Sequence, residues 1–214
     1  MSLKALLIDL GNVVVFFDRR KVAEHFAAIT GQEESSINYH LNESADGQAR
    51  LAAFERGGSR NDFKVLTERV LGTSLPGSLF WAMHVDLFRA NYPVINLLHR
   101  VKSLYPEIKL VAVTNTDEVR LERMLLLAEF AGILFDNVAA SCYVCSRKPQ
   151  QKIYQVAISL ACVQKEECLF VDDILENCAA AEKNGIPSQV FSTLADLENA
   201  LRERGLFPEE RQSS

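Results

Sequence analysis

Five short runs of apolar and β-branched residues constrain the fold of this chain more than any other feature. They span residues 3–8, 109–113, 134–139, 168–171 and 188–191. Each run is short enough for a β-strand that is buried on both faces, as strands are in a parallel sheet covered by helices. The runs therefore predict a sheet at the centre of the molecule.

Helical patterns fill the intervals between the later four runs. They predict helices over residues 117–130, 149–161, 175–184 and 193–204. Pro149 suits a helix start, and Gly185 suits the position that follows a helix end. Strand–helix alternation of this kind produces right-handed crossovers between parallel strands. The predicted fold class is therefore α/β, with a Rossmann-like parallel sheet flanked by helices.

The interval between the first two runs is much longer than the others and contains further helical patterns. These patterns cover residues 19–30, 61–71 and 79–89, and residues 93–104 are expected to form the crossover helix. A structureless loop of that length would be unusual inside a domain. We therefore expect a core of residues 1–16 and 90–206, with a helical cap inserted at residues 17–89 after the first strand. The polar tail, residues 207–214, is expected to fray.

Composition and charge narrow the classes of function. The net charge of −5 argues against non-specific nucleic-acid binding, and no apolar run is long enough to span a membrane. The N-terminal segment lacks a secretory signal pattern, because Asp9 interrupts its apolar stretch. Cys142 and Cys145 form a C-x-x-C pair without a second pair or a histidine cluster, which favours reduced thiols over a zinc site. These features predict a cytoplasmic protein.

Polar residues follow the apolar runs at the positions where the strands would end. Asp9 follows the first run and Thr114 follows the second. Asp172 and Asp173 follow the fourth run, and Lys148 precedes the helix after the third. Ligands of an open parallel sheet bind at the carboxyl ends of its strands, so we expect these side chains at one site.

Such a set of side chains is suited to phosphoryl transfer. Two close carboxylates repel each other, and a bound Mg²⁺, which prefers oxygen ligands, would relieve that repulsion. One carboxylate would then attack a phosphorus atom and form an aspartyl-phosphate. Thr114 and Lys148 would hold the phosphoryl oxygens and neutralise charge in the transition state.

Four segments, in order, resemble the four motifs of the haloacid dehalogenase (HAD) superfamily. They are LLIDLGNV at residues 6–13, VTN at 113–115, RKP at 147–149 and FVDDILEN at 170–177. The resemblance spans the whole predicted core, and the helical insertion lies where that family has its helical cap. The motifs are most similar to a bacterial branch that includes sugar-1-phosphate phosphatases and relatives of the N-terminal phosphatase domain of soluble epoxide hydrolase.

The resemblance implies a role for each motif residue. Asp9 would be the nucleophile, and Asp9, the Gly11 carbonyl and Asp173 would bind Mg²⁺. Thr114 and Lys148 would assist catalysis. The residues expected to contact the substrate are Asn12, Thr114, Asn115 and Lys148. Asp172 would support the metal ligands, and Asn177 would either support them or face solvent.

Position 11 departs from the family pattern. The family usually has a second Asp there as general acid and base, whereas this chain has Gly11. Glycine keeps the carbonyl that would bind the metal but removes the proton donor, a loss worth about 10²–10⁴-fold in rate. Asp18 or a water molecule is a hypothetical substitute. Dehalogenases of the family replace the acids of the fourth motif with neutral residues, so Asp172 and Asp173 favour a phosphatase.

Each motif residue also has a purely structural interpretation. Asp9 could be a turn residue, Thr114 and Asn115 could cap the next helix, and Lys148 could lie on the surface. The Asp172–Asp173 pair could cap the helix at residue 175. The four histidines, which are His25, His40, His84 and His99, have no ligand spacing and are expected mainly on the surface. His25, His40 and His84 fall in the predicted cap, where one of them could touch a substrate.

The predicted function is Mg²⁺-dependent hydrolysis of a small phosphomonoester, such as a sugar phosphate. The predicted partner is a small phosphorylated metabolite, with neither nucleic acid nor membrane. The alternative, suggested by Gly11, is a catalytically weak member of the superfamily that binds a phosphate ligand or acts as an interaction module.

Overall fold

A central sheet of five parallel strands organises the molecule. The computed structural model describes residues 3–133 and 135–207. In chain order the strands are β1 (Ala5–Ile8), β2 (Val15–Phe17), β3 (Phe88–Ala90), β4 (Lys109–Thr114), β5 (Asn137–Ala140), β6 (Cys168–Asp172) and β7 (Ser188–Val190). The sheet has the order β5–β4–β1–β6–β7, and all of its neighbouring strands are parallel. The predicted α/β fold class is confirmed.

Helices cover both faces of this sheet. The helices of the described residues are α1 (Arg20–Thr30), α2 (Glu34–Asn38), α3 (Ala45–Phe54), α4 (Arg60–Leu71), α5 (Gly77–Val85), α6 (Tyr92–Leu104), α7 (Glu118–Phe130), α8 (Ser141–Val144), α9 (Gln151–Ala161), α10 (Leu175–Lys183) and α11 (Leu194–Glu203). Helices α6, α7 and α11 pack on one face, and α9 and α10 pack on the other. Within the described residues, no helix has both the length and the apolar character needed to cross a lipid bilayer.

Strand residues alternate between these two layers, which explains why the runs are apolar at nearly every position. In β1, Leu6 and Ile8 pack toward α6 and α11, whereas Ala5 and Leu7 pack toward α9 and α10. All four side chains are fully buried. Burial of a leucine or isoleucine side chain contributes about 1.5–3 kcal/mol, so a polar residue at either face of β1 would strongly destabilise the sheet.

Residues 20–85, which we call the cap, supply most of a third hydrophobic cluster beside the sheet. Aromatic rings pack together within this cluster, and the rings of Phe54 and Phe63 stack with centroids 4.4 Å apart. Helix α4 begins after Ser59, whose hydroxyl accepts a hydrogen bond from the Asp62 N–H. Helix α1 ends at Gly31, which has a φ of 69° that glycine adopts without strain.

A two-stranded antiparallel ribbon joins the cap to the sheet. Its strands are β2 and β3, with Phe16 opposite Arg89. Next to the ribbon, the side-chain amide of Asn91 donates a hydrogen bond to the Val13 carbonyl at 2.7 Å. The chain therefore leaves the core and re-enters it at the same place.

The structure differs from the predicted elements at several points. The helix predicted over residues 79–89 is wrong at its C-terminal end, because Phe88–Ala90 pairs with β2 and forms β3. The strand predicted over residues 134–139 lies at Asn137–Ala140, and Leu134 is outside the described residues. Helices α2, α3 and α8 were not predicted. The predicted frayed tail, apart from Phe207, also lies outside the described residues.

Candidate active site

A cleft opens between the cap and the carboxyl ends of β1, β4 and β6. It encloses about 720 Å³, a volume that includes its mouth. Most residues that the sequence predicted for the site line this cleft, namely Asp9, Gly11, Asn12, Thr114, Asn115, Lys148, Asp173 and Asn177. Asp172 lies beneath the cleft and is fully buried. The strand ends therefore bring the predicted residues together.

Lys148 links three strands at the floor of the cleft. Its Nζ lies 2.7 Å from the Val113 carbonyl, 2.7 Å from Asp172 Oδ2 and 2.9 Å from Asp9 Oδ1. Burial would lower the pKa of Lys148, but the two carboxylates outweigh this effect, so its pKa is raised. An ammonium group has three donors, and all three have an acceptor here. A surface position for Lys148 is thus excluded.

Asp9 follows β1 directly and is almost completely buried. Its Oδ1 accepts a hydrogen bond from the Leu10 N–H at 2.7 Å and pairs with Lys148. Burial raises the pKa of Asp9 to about 6; Lys148 opposes this shift, whereas Asp172 and Asp173 add to it. No described residue donates a hydrogen bond to Oδ2, which leaves that oxygen available to a ligand.

Asp172 and Asn177 support the floor from below. The side-chain amide of Asn177 lies 2.9 and 3.1 Å from the two carboxylate oxygens of Asp172. Asp172 Oδ1 also accepts the Ile174 N–H at 2.9 Å. Asn177 is buried, so it supports the site and does not face solvent. Because Asp172 already has Lys148 and two other donors, it is the least accessible of the three aspartates.

Asp173 is the half-buried aspartate that faces the cleft. Its Oδ2 accepts a hydrogen bond from the Asn12 side chain at 3.2 Å. Burial raises the pKa of Asp173, and its hydrogen bond with Asn12 opposes this. One carboxylate oxygen from each of Asp9, Asp172 and Asp173 lies within 4.8 Å of the others. Three carboxylates with one ammonium leave the floor with excess negative charge.

The second predicted motif has two different roles in the structure. Thr114 ends β4 and lines the cleft. The side chain of Asn115 exchanges hydrogen bonds of 2.9 and 2.7 Å with the backbone of Lys148, so it holds the Lys148 loop. Neither residue caps α7, because Asp117 accepts the N–H groups of its first turn. Direct substrate contact by the Asn115 side chain stays a prediction.

The space next to Gly11 is taken by the ring of Phe17. A Cβ atom at position 11 would lie 2.9 Å from Phe17 Cε1, which is shorter than carbon atoms tolerate. Asp18, the hypothetical substitute for the missing acid, is hydrogen bonded by the Arg20 backbone and guanidinium, and these bonds lower its pKa. Asp18 does not line the cleft. Asp18 therefore does not replace the missing acid at that point.

Three arginines and one glutamate line the cap side of the cleft. Arg19 precedes α1, Arg120 lies in α7 and Arg147 precedes Lys148. The buried Glu55 carboxylate lies 2.8 Å from the guanidinium of Arg147. Burial raises the pKa of Glu55, and the three arginines oppose this shift. The sequence did not single out these arginines; only the position of Arg147 beside Lys148 could have indicated one of them.

The histidines lie outside the cleft. His84 is buried in the cap, which contradicts the expected surface position, and its Nδ1 lies 2.9 Å from the Phe80 carbonyl. Burial lowers the pKa of His84 to about 3. It occupies an aromatic cluster in which neighbouring rings exclude water, and the local sequence gives no sign of this. His40 and His99 are exposed.

Comparison with known proteins identifies similar folds. The model of the haloacid dehalogenase-like hydrolase family matches residues 3–185. A HAD family enzyme from Bacteroides thetaiotaomicron, crystallised with magnesium and inorganic phosphate, is 20% identical, with a TM-score of 0.75 over 92% of this chain and 99% of that one. A predicted HAD-like hydrolase from Porphyromonas gingivalis is 22% identical, with a TM-score of 0.74 over 94% and 98%.

A more distant similarity is to L-2-haloacid dehalogenase from Xanthobacter autotrophicus. The two chains are 18% identical, with a TM-score of 0.61 over 96% of this chain and 85% of that one. No curated protein matches the chain significantly. At these identities the structural matches show the fold and not the reaction.

Proposed function

Because the chain belongs to the haloacid dehalogenase-like hydrolase family, we propose that it hydrolyses a small phosphomonoester, such as a sugar phosphate, with the help of Mg²⁺. The observation that carries this proposal is the arrangement of Asp9, Asp173 and Lys148 around one cleft. A dehalogenase needs one carboxylate as nucleophile, whereas this floor has excess negative charge that suits a metal cation. The Asp172–Asp173 pair therefore favours a phosphatase.

The donor set fits a magnesium ion. Carboxylate and carbonyl oxygens are the ligands that Mg²⁺ prefers, and Asp9, Asp173 and the Gly11 carbonyl would provide them. Asp172 is fully engaged by Lys148 and Asn177 and would act only as support. The bound ion would neutralise charge on the phosphoryl group. The magnesium and phosphate in the B. thetaiotaomicron enzyme support this assignment.

Asp9 would act as the nucleophile. Its Oδ1 is held by Leu10 and Lys148, so its free Oδ2 would attack phosphorus while the bond from phosphorus to the ester oxygen breaks. The alcohol leaves and takes a proton from water, and an aspartyl-phosphate remains. Water then attacks the phosphorus atom and breaks its bond to Asp9. Inorganic phosphate is released, and the carboxylate is restored.

Lys148 and Thr114 would stabilise the charge that develops during these steps. The Lys148 ammonium group holds Asp9 in place and supplies a positive charge beneath the phosphoryl group. Thr114 presents its side chain from the end of β4 into the cleft. Asn12 binds Asp173 and would orient that ligand.

Protonation of the leaving group is the weak step of this mechanism. Gly11 provides no acid, Phe17 fills the adjacent space, and Asp18 is bonded to Arg20. With water as the proton donor, alcohols of high pKa are penalised most. We therefore expect sugar-1-phosphates and aryl phosphates to be hydrolysed faster than simple alkyl phosphates.

A substrate panel tests the proposal directly. We expect phosphate release from sugar and aryl phosphates to require Mg²⁺ and to be abolished in Asp9→Asn. The matched control is Asp18→Asn, which removes a carboxylate outside the cleft and should retain turnover. Turnover that persists in Asp9→Asn, or that is indifferent to Mg²⁺, would refute the mechanism.

A second candidate function is binding of a phosphate ligand with little turnover. The lack of an acid at Gly11 favours it, because a side chain at that position would meet the ring of Phe17 and displace it. Beryllofluoride with Mg²⁺ mimics a phosphorylated aspartate and should bind in both cases. Tight beryllofluoride binding with no hydrolysis of any panel member would support the binding function over the phosphatase.

A further inference from the structure

We infer that the substrate carries a second anionic group, a carboxylate or a second phosphate, which binds to Arg19, Arg120 and Arg147. This inference rests on the proposed function, because it concerns the cap side of the same cleft. The transferred phosphoryl group would lie on the floor against Lys148. The second anion would lie opposite, among the guanidinium groups.

The charges on the cap side do not balance. Three guanidinium groups face two nearby carboxylates, those of Glu55 and Asp117. Glu55 is paired with Arg147 at 2.8 Å. Asp117 uses Oδ1 to cap α7, and its Oδ2 lies 3.5 Å from Arg120 Nε, too far for a strong hydrogen bond. The cap side therefore has an excess of one positive charge.

Two of these guanidinium donors lack an acceptor, and two nearby carboxylate oxygens lack a donor. The buried atoms without a hydrogen-bond partner among the described residues are the Nε atoms of Arg120 and Arg147, Glu55 Oε2 and Asp117 Oδ2. No carboxylate of the described residues forms an ion pair with Arg19, whose guanidinium lies 5.3 Å above the ring of Phe17. Arg19 is the most exposed of the three, yet partial loss of hydration and the nearby Arg120 both lower its pKa.

Buried donors without acceptors are costly and are usually explained by a missing partner. A guanidinium group is a planar fork that matches a carboxylate or a phosphate in two parallel hydrogen bonds. The Arg120 side chain is only 14% exposed, so water competes poorly for it. Apolar residues, Leu87 and Met124, also line the cleft and would contact a short carbon skeleton between the two anions.

Matched pairs of substrates test this inference. Glycerol 3-phosphate is compared with 3-phosphoglycerate, and glucose 1-phosphate with glucose 1,6-bisphosphate, so that each pair differs by one anionic group. We measure kcat/KM with Mg²⁺ for the parent protein, Arg19→Gln and Arg120→Gln. Arg20→Gln is the control, because Arg20 follows Arg19 in the sequence but does not line the cleft. Calorimetric Kd values in the Asp9→Asn background give a readout that needs no turnover.

We expect the parent protein to prefer the member with the second anion by about tenfold or more in at least one pair, the size of a charged hydrogen bond. The preference should fall in Arg19→Gln and Arg120→Gln and remain in Arg20→Gln. A preference in the first pair would identify the second anion as a carboxylate, and a preference in the second pair would identify it as a phosphate. Equal kcat/KM within both pairs, or a preference that survives both variants, would overturn the inference and leave the phosphatase intact. A Kd preference without turnover would refute the phosphatase and retain the second-anion site.

Discussion

The floor and the cap side of the cleft hold their charges in different ways. On the floor, Lys148 contacts two carboxylates and a carbonyl, and Asn177 completes the bonding of Asp172. On the cap side, Arg120 and Arg147 retain buried donors without acceptors, and Glu55 and Asp117 retain buried oxygens without donors. The floor therefore has an excess of negative charge, whereas the cap side has an excess of positive charge.

Under the proposed function, this difference would separate the residues that react from the residues that recognise the substrate. The floor is built from strand ends, whose positions are fixed by the sheet, so its geometry is set before any ligand arrives. The cap side combines Arg19, which precedes α1, with Arg120 and Arg147 of the core, so its arrangement depends on how the cap lies over the sheet. We therefore expect changes on the floor to affect reaction and stability together. Changes on the cap side should affect the choice of substrate.

Replacement of Lys148 by methionine should have the largest effect on stability. Lys148→Met would leave Asp172 buried without its cation, which typically costs about 3–5 kcal/mol of the free energy of unfolding. Turnover should also be lost, because Asp9 loses the same partner. Chemical denaturation measures the effect, with Lys152→Met, an exposed lysine on α9, as the control. A loss as small as that of the control would mean that Asp172 does not depend on Lys148 as its buried partner.

An Asp introduced at position 11 should raise the rate only when the neighbouring Phe17 is also made smaller. Gly11→Asp alone brings its Cβ against Phe17, so we expect little gain in rate. Gly11→Asp combined with Phe17→Leu should raise kcat on alkyl phosphates by about 10²-fold, the lower range for general acid catalysis. Phe17→Leu alone is the control and should not accelerate turnover. A full gain from Gly11→Asp alone would show that Phe17 is no obstacle.

The interior of the cap should make the protein sensitive to acid. Burial holds the pKa of His84 near 3, against 6.5 for an ordinary histidine, so the unfolded chain binds a proton that the folded chain excludes. The free energy of unfolding is therefore unaffected above pH 6.5 and falls as pH decreases toward 3. Between pH 7 and 5 the loss from His84 alone is about 2 kcal/mol.

Denaturation curves at the two pH values measure this loss. In His84→Gln, which keeps a donor for the Phe80 carbonyl but does not titrate, the dependence on pH should be smaller by that amount. His40→Gln removes an exposed histidine of the same cap and is the matched control. An unchanged dependence in His84→Gln would show that His84 reaches water before the protein unfolds.

Much of the floor could be predicted from the sequence because strand ends are local signals. Asp9, Thr114 and Asp173 each follow a buried run, and a parallel sheet brings such positions to one edge. The role of Asn115 could not be predicted in the same way. The motif predicts that its side chain contacts a ligand. In the structure this side chain is hydrogen bonded to the backbone of Lys148, which lies in another loop.

The cap side and the ribbon depend on contacts between distant segments. Arg19 and Arg120 have no local pattern that distinguishes them from surface arginines, because their proximity follows from how the cap packs on α7. Strands β2 and β3 have three residues each, too few for a recognisable alternation, and their pairing encloses the whole cap. The burial of His84 could not be predicted either, since it results from the aromatic rings that surround this side chain in the folded cap.

The ribbon of β2 and β3 has a consequence for how such a molecule can change. Its two strands, together with the bond from Asn91 to Val13, close the loop that contains the cap. The entropic cost of closing a loop rises only slowly with the length of the loop, so β2 and β3 could also enclose a longer or shorter segment. A different cap could therefore be inserted between the same two strands. A cap of another size or lining could therefore face the same strand ends, with Asp9 and Lys148 held in place by the sheet.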